Sequence, residues 1–117
     1  MKDVKKTALV AGAQGVIGRN LIGHLVCLGD WNIIGLSQCR GEDSGRLRHI
    51  SVDLLNPEDC RAKMEGLRDI THIFYAAYKQ RPTWAELVPP NLAMLQNVVE
   101  HIEPVAKELQ HVSLLQG

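Results

Sequence analysis

Five short apolar runs punctuate the chain, and longer stretches with helical spacing lie between them. Residues 7–11 form a run rich in strand formers, and Ile17, Leu21, Ile22, Leu25, Val26 and Leu28 follow at helical period. Residues 31–37 read as a second strand after the turn at Gly29 and Asp30. Residues 48–53 read as a third, entered through the polar loop 41–45. Asn56 then opens a helix as N-cap, with Pro57 at its first position and Glu58 and Asp59 in its first turn, and that helix ends near Gly66. Residues 71–77 predict a fourth strand. Residues 91–103 predict a long helix with Leu92, Leu95, Val98, Val99 and Ile102 on its apolar stripe. Residues 111–115 predict a fifth strand, two residues before the sequence ends. Strands separated by helices imply right-handed crossovers and a parallel sheet.

The junction of the first strand and first helix carries the chemistry. Gly12, Gly15 and Gly18 stand in the pattern G-x-x-G-x-x-G, between a strand and a helix. Gly12 takes the tight turn, Gly15 lets the backbone approach a pyrophosphate, and Gly18 lets the helix pack near the strand. The helix start, with unpaired N–H groups and partial positive charge, faces the phosphates. Gly12, Gln14, Gly15, Val16, Ile17 and Gly18 are therefore the candidate pyrophosphate site. The expected fold is α/β, a Rossmann-type doubly wound sheet of five strands in order 3-2-1-4-5, with the cofactor crevice between strands one and four.

Composition narrows the setting. The 117 residues, with 13 basic and 13 acidic side chains in balance, suit a single domain over residues 1–117 and carry no electrostatic footprint for nucleic acid or an anionic membrane. No apolar run is long enough to span a bilayer, and no signal-peptide pattern follows the charged first residues. Cys27, Cys39 and Cys60 form neither a CxxC pair nor a disulfide framework, which fits a reducing cytoplasm. His24, His49, His72, His101 and His111 are scattered and give no metal-ligand pattern.

The end of the second strand selects the cofactor. An Asp or Glu there accepts ribose hydroxyls and repels a 2′-phosphate. Ser37, Gln38, Cys39 and Arg40 include no acid and one guanidinium, which holds a phosphate bidentately or stacks on adenine. NADP(H) is thus expected over NAD(H). The alternative is a solvated Arg40, with Glu42 or Asp43 reaching the ribose. Tyr75, Ala76 and Ala77 end the fourth strand opposite the glycine turn, where small residues let the nicotinamide ribose lie against the backbone or simply let two elements pack closely.

The segments 7–18, 52–54, 71–75 and 111–117 resemble the extended short-chain dehydrogenases/reductases, and the "THIFY" and "HVSLLQG" segments resemble the progesterone 5β-reductase/iridoid synthase-like subgroup and its bacterial members. The resemblance implies an Asp beside the adenine amino group at Asp53, with Leu54 packing on the ring; the alternative for Asp53 is a local turn cap. It also implies that a catalytic Lys follows the glycine ending strand five and a catalytic Tyr comes later still. Here Gly117 is the last residue. The chain is therefore expected to be the cofactor-binding N-terminal part of a reductase acting on a carbonyl or enone. It holds no catalytic residue of its own, the substrate lobe is absent, and the chain alone is expected to be inactive. Tyr75 and Lys79 have Tyr-x-x-x-Lys spacing, but a strand followed by a loop does not put them on one helical face.

Asn91 resembles an Asn of extended members, or serves as an N-cap. The loop 78–90 is expected to border a substrate cleft. Two further readings stand beside the reductase fragment. One is a non-catalytic NADP(H)-binding or assembly module, and the other is the cofactor half of a sugar-nucleotide epimerase or dehydratase. With strand five at the sheet edge, exposing Val112, Leu114 and Leu115, a homo-oligomer through that edge is expected.

Overall fold

The computed structural model describes residues 6–38, 43–77 and 82–114. In chain order its elements are β1 (Lys6–Ala11), α1 (Val16–Leu28), β2 (Trp31–Ser37), β3 (Leu47–Ser51), α2 (Pro57–Met64), β4 (His72–Tyr75), α3 (Trp84–Ile102) and β5 (His111–Leu114). The strands form one parallel sheet in the order β3-β2-β1-β4-β5. The chain reverses direction across the sheet between β3 and β4. The C-terminal ends of β1 and β4 therefore flank the point where connections diverge, which is where open α/β sheets bind ligands.

Alternation along β1 feeds two cores. Ala8 and Val10 pack with Ile33 and Trp31 under Ile22 and Leu25 of α1. Leu9 and Ala11 point the other way, joining Ile34, Leu36, Ile73 and Tyr75 under Cys60 and Met64 of α2 and Met94, Val98 and Ile102 of α3. Burial on both faces explains why β1 reads as an unbroken apolar run. Val26 and Leu28, read as part of the apolar stripe of α1, are exposed instead. Among the described residues no helix is long and apolar enough to cross a membrane.

β4 stops at Tyr75, so Ala76 and Ala77 lie just beyond the strand they were expected to end, and two further elements differ from the sequence expectation. β3 ends at Ser51, so Asp53 lies in the turn beyond it rather than at the strand end. The cause is local: the Asp53 N–H donates to Asp59 Oδ2 at 2.8 Å, which pulls the chain out of the sheet. The second difference is larger. α3 begins at Trp84, so part of the expected loop 78–90 is helix and Asn91 lies inside it rather than capping it. Thr83 and Glu86 form a capping box: the Thr83 hydroxyl accepts from the Glu86 N–H at 3.3 Å and donates to Glu86 Oε1 at 3.0 Å. Pro89 and Pro90 would each deprive a carbonyl four residues back of its donor. Those carbonyls belong to Ala85 and Glu86 in the first turn, whose exposed residues leave them open to solvent.

Candidate dinucleotide site

The turn after β1 is fixed from three sides. The N–H groups of Gly12 and Ala13 both donate to the Leu36 carbonyl at 2.9 and 3.0 Å, and the Ala76 N–H donates to the Ala11 carbonyl at 2.8 Å. Gly12 has φ +85°, and a Cβ there would stand 2.6 Å from the Ala77 nitrogen and 2.7 Å from the Ala76 carbonyl carbon. The left-handed backbone and the pressure of β4 each demand glycine. A Cβ on Gly18 would fall inside the Gly12 carbonyl, so this glycine seats the helix on the turn.

Gly15 is different. Its φ of −77° suits any residue, and a Cβ there would meet only the Gly12 oxygen, at an ordinary 3.5 Å. Nothing among the described residues requires glycine at this position. It is the N-cap of α1 and offers no side chain to the first N–H groups of the helix, and the first turn holds no acidic residue. Those donors and their partial positive charge face outward, ready for an anion.

They open into a cleft of about 1180 Å³. Its lining brings together Gly12, Gln14 and Gly15 from the glycine turn, Val16 and Ile17 from the start of α1, Ser37 and Gln38 at the end of β2, Asp53 and Leu54 from the turn after β3, and Tyr75, Ala76 and Ala77 at and just beyond the end of β4. Of the residues singled out in the sequence, Gly18 lies beneath this surface and Arg40 lies outside the described residues, as do Cys39, Glu42 and Lys79. The segment 78–90 was expected to border a substrate cleft, and its described part does line this one, though from a helix rather than a loop. Trp84, Leu87, Val88, Asn91, Leu92, Met94 and Leu95 line it, and Leu114 of β5 joins them. The Thr83-x-x-Glu86 pattern was the available signal for that helix.

Asp53 and Leu54 are held by a small network. Asp53 Oδ1 accepts from the Leu55 N–H at 3.1 Å, so a local turn uses one carboxylate oxygen. The backbone N–H of Asp53, with the Lys63 ammonium behind it, holds the Asp59 carboxyl below its ordinary value, against an opposing effect of burial. Lys63 Nζ reaches Asp59 at 3.4 Å and donates to the Ser51 carbonyl at 2.7 Å. Asn97 of α3 donates to the Leu54 carbonyl at 2.7 Å, which ties the turn to the helix. Leu54 is buried and belongs to the α2–α3 core while it forms part of the cleft wall. Burial and the nearby Asp59 and Asp53 charges push the Cys60 thiol up to about 11.

Asn91 donates to the Leu87 carbonyl at 2.8 Å inside α3. Tyr75 is buried, and its hydroxyl has no hydrogen-bond partner among the described residues; burial pushes its pKa up to about 12. At the end of β4 and held neutral by burial, this phenol has no neighbour among the described residues that would ionise it.

The model for the NAD dependent epimerase/dehydratase family matches residues 8–112. The chain is 31% identical to (S)-8-oxocitronellyl enol synthase ISY1 of Nepeta racemosa, over 99% of this chain and 32% of that enzyme. It is 32% identical to 3-oxo-Delta(4,5)-steroid 5-beta-reductase of Arabidopsis thaliana, over the same shares of the two chains. It thus spans about a third of the length of these curated relatives. Among solved structures, the short-chain dehydrogenase/reductase YIR035C of Saccharomyces cerevisiae superposes with a TM-score of 0.79 at 18% identity, covering 96% of this chain and 53% of that one. The enzyme WbmG of Bordetella bronchiseptica, solved in complex with NAD, gives 0.77 at 19% identity over 97% and 38%.

Proposed function

Because the chain belongs to the NAD dependent epimerase/dehydratase family, we propose that residues 1–117 act as one dinucleotide-binding unit that takes NADP(H) in preference to NAD(H). The observation that carries this is Gly15: a glycine that the fold does not need, at an uncapped helix start that opens into the cleft. In this reading Gly12, Gln14, Gly15, Val16 and Ile17 surround the pyrophosphate, and Gly18 keeps the helix close beneath them. Ser37, Gln38 and Arg40 take the phosphorylated ribose, Asp53 and Leu54 the adenine, and Tyr75, Ala76 and Ala77 border the nicotinamide ribose. The absence of an acid at Ser37 and Gln38 supports the 2′-phosphate, since no carboxylate there repels it. Once bound, the dinucleotide supplies or accepts hydride; the chain's own residues bind it, orient it and wall off one side.

The reaction served is hydride transfer to a carbonyl or enone. The curated relatives named as an enol synthase and a steroid 5-beta-reductase support it. So does the far wall of the cleft, where Trp84, Leu87, Val88, Leu92 and Leu114 are apolar and suit an apolar acceptor better than a sugar nucleotide. The family's name favours a second reading, a cofactor half of an epimerase or dehydratase. The setting is the reducing cytoplasm, and the exposed Val112 and Leu114 on β5 favour self-association through that edge.

Calorimetry with NADP+ and NAD+ tests the reading. NADP+ is expected to bind more tightly, and Arg40→Ala to cost about 1.5–3 kcal/mol for NADP+ alone, the range for a hydrogen bond to a charged group. Equal losses for both dinucleotides remove Arg40 from the phosphate, and no heat with either removes the function.

A further inference from the structure

At the opposite end of the sheet from the cleft, β4 and β5 bring two histidines side by side. Parallel register sets His72 directly against His111, with ring centroids 6.2 Å apart. The His72 ring meets the Trp31 ring edge-on at 4.9 Å and lies parallel to Phe74 at 6.2 Å. Lys6 Nζ sits 5.2 Å over the same Trp31 ring. From β1, then, an ammonium approaches this cluster; β2 and β4 offer aromatic rings, and β5 a second imidazole. The charges that act on His72 are those of Lys6 and of a protonated His111, both of the same sign as a protonated His72.

Among the described residues, the hydrogen bonds leave no protein acceptor for an extra proton on His72. Thr71 Oγ1 accepts from the Thr7 N–H at 2.9 Å and donates to the Thr7 carbonyl at 3.1 Å. His72 Nδ1 lies 2.8 Å from that same oxygen. With the hydroxyl proton committed to Thr7, Nδ1–H of a neutral His72 donates to Oγ1, and Nε2 has no hydrogen-bond partner among the described residues. A second proton on Nε2 adds a charge beside His111 and Lys6, with no carboxylate among the described residues acting on it. His111 Nε2 pairs with Ser113 Oγ at 2.6 Å, a bond within β5 that does nothing to hold it to β4.

We propose that His72 and His111 form an acid-sensitive clasp: while both imidazoles are neutral β5 stays paired to β4, and when both are protonated beside Lys6 the edge strand peels from the sheet. Like charges directly opposite on neighbouring strands destabilise the pairing. β5 is the strand to yield, because its residues 111, 112 and 114 are exposed and it pairs on one side only. Burial first, then His111 and Lys6, depress the His72 pKa, so the folded strand prefers the neutral ring. The sign follows: pairing is fully supported above the ordinary histidine value of about 6.5 and is lost as pH falls through the folded value. Leu114, three residues on, lines the cleft, so release of β5 also loosens one of its walls.

Amide hydrogen exchange, expressed as protection factors to remove the intrinsic pH effect, reads this directly. An opening equilibrium moves about tenfold for each pH unit over which the released imidazole binds a proton and the paired one does not. Protection of amides 112–114 is expected to fall about tenfold between pH near 7.5 and pH near 5, while Leu9, Val10 and Ile34 in β1 and β2 stay protected. His111→Gln, at an exposed position, is expected to reduce that fall, and His72→Gln combined with it to abolish it. Equal protection of 112–114 at both pH values overturns the clasp. So does a fall of the same size in His111→Gln, a variant that leaves the core untouched if the double variant fails to fold.

Discussion

Gly15→Ala separates binding from folding more cleanly than any other change in the glycine turn. The added methyl meets nothing closer than the Gly12 oxygen at 3.5 Å, and φ of −77° is an ordinary value for alanine. Less freedom in the unfolded chain favours alanine by about 0.4–1 kcal/mol. Alanine is a poorer N-cap than glycine by a similar amount, so ligand-free stability is expected to move by less than about 1 kcal/mol. Ligand binding is another matter. The methyl projects where a pyrophosphate must approach the first N–H groups of α1. A tenfold loss of affinity corresponds to about 1.4 kcal/mol. At a ligand concentration one hundred times the wild-type dissociation constant, occupancy raises stability by about 2.7 kcal/mol. The variant at the same concentration keeps about 1.4 kcal/mol. For a chain of this length 1 kcal/mol is about 4 °C, so a thermal shift of about 11 °C with NADP+ is expected to shrink to about 6 °C or less. An unchanged shift refutes the placement of the pyrophosphate. A large ligand-free loss refutes the claim that the fold leaves this position free. Gly12→Ala is the control: left-handed strain plus overlap with the Ala76–Ala77 backbone predicts a loss of about 3 kcal/mol or more without any ligand.

Other parts of the site give further tests. Tyr75→Phe removes a buried hydroxyl that has no partner among the described residues, so chemical denaturation is expected to show equal or higher stability, by up to about 1 kcal/mol; a loss above that exposes a hidden partner. Asn97→Ala cuts the tie between α3 and the Leu54 carbonyl and is expected to cost about 1–2 kcal/mol in stability, with a parallel loss of affinity for 2′,5′-ADP measured by calorimetry. Asp59 is held below its ordinary value by the Asp53 N–H, so its contribution is present above about pH 4 and is lost as pH falls further. An acid titration of stability is expected to be flatter in Asp59→Asn over that range, and identical titrations would discount the bond.

What was legible in the sequence was what neighbouring residues decide. β2 matches its expected bounds because residues 31–37 are flanked by a Gly29 turn and a polar loop. α2 starts where Asn56 and Pro57 place it, and Asn56 Oδ1 accepts from the N–H groups of Glu58 and Asp59 at 3.0 and 3.2 Å. The glycine turn and the strand-end residues converge on one cleft because strand order follows from the βαβ connections. What failed was a contest between two local signals: the prolines 89 and 90 argued against a helix, and the capping box at Thr83 and Glu86 won. That the segment borders the cleft was legible, but its helical form, and with it the further lining by Leu92, Met94 and Leu95, was not.

Register was the other information the sequence withheld. His72 and His111 are 39 positions apart and read as unrelated, yet parallel pairing sets them against each other. The same pairing sets Tyr75 opposite Leu114, and both line the cleft. One strand pair thus carries a titratable contact at its start and part of the cleft wall at its end. β5 is four residues long, so peeling begun at His111 reaches Leu114 before any other element intervenes. A short edge strand of this kind couples the two ends of the sheet more tightly than a long one would, because few paired residues separate His111 from Leu114. Acidification is therefore expected to weaken ligand binding even though no histidine lines the cleft. The coupling should vanish in the variant lacking both imidazoles while its binding at neutral pH persists.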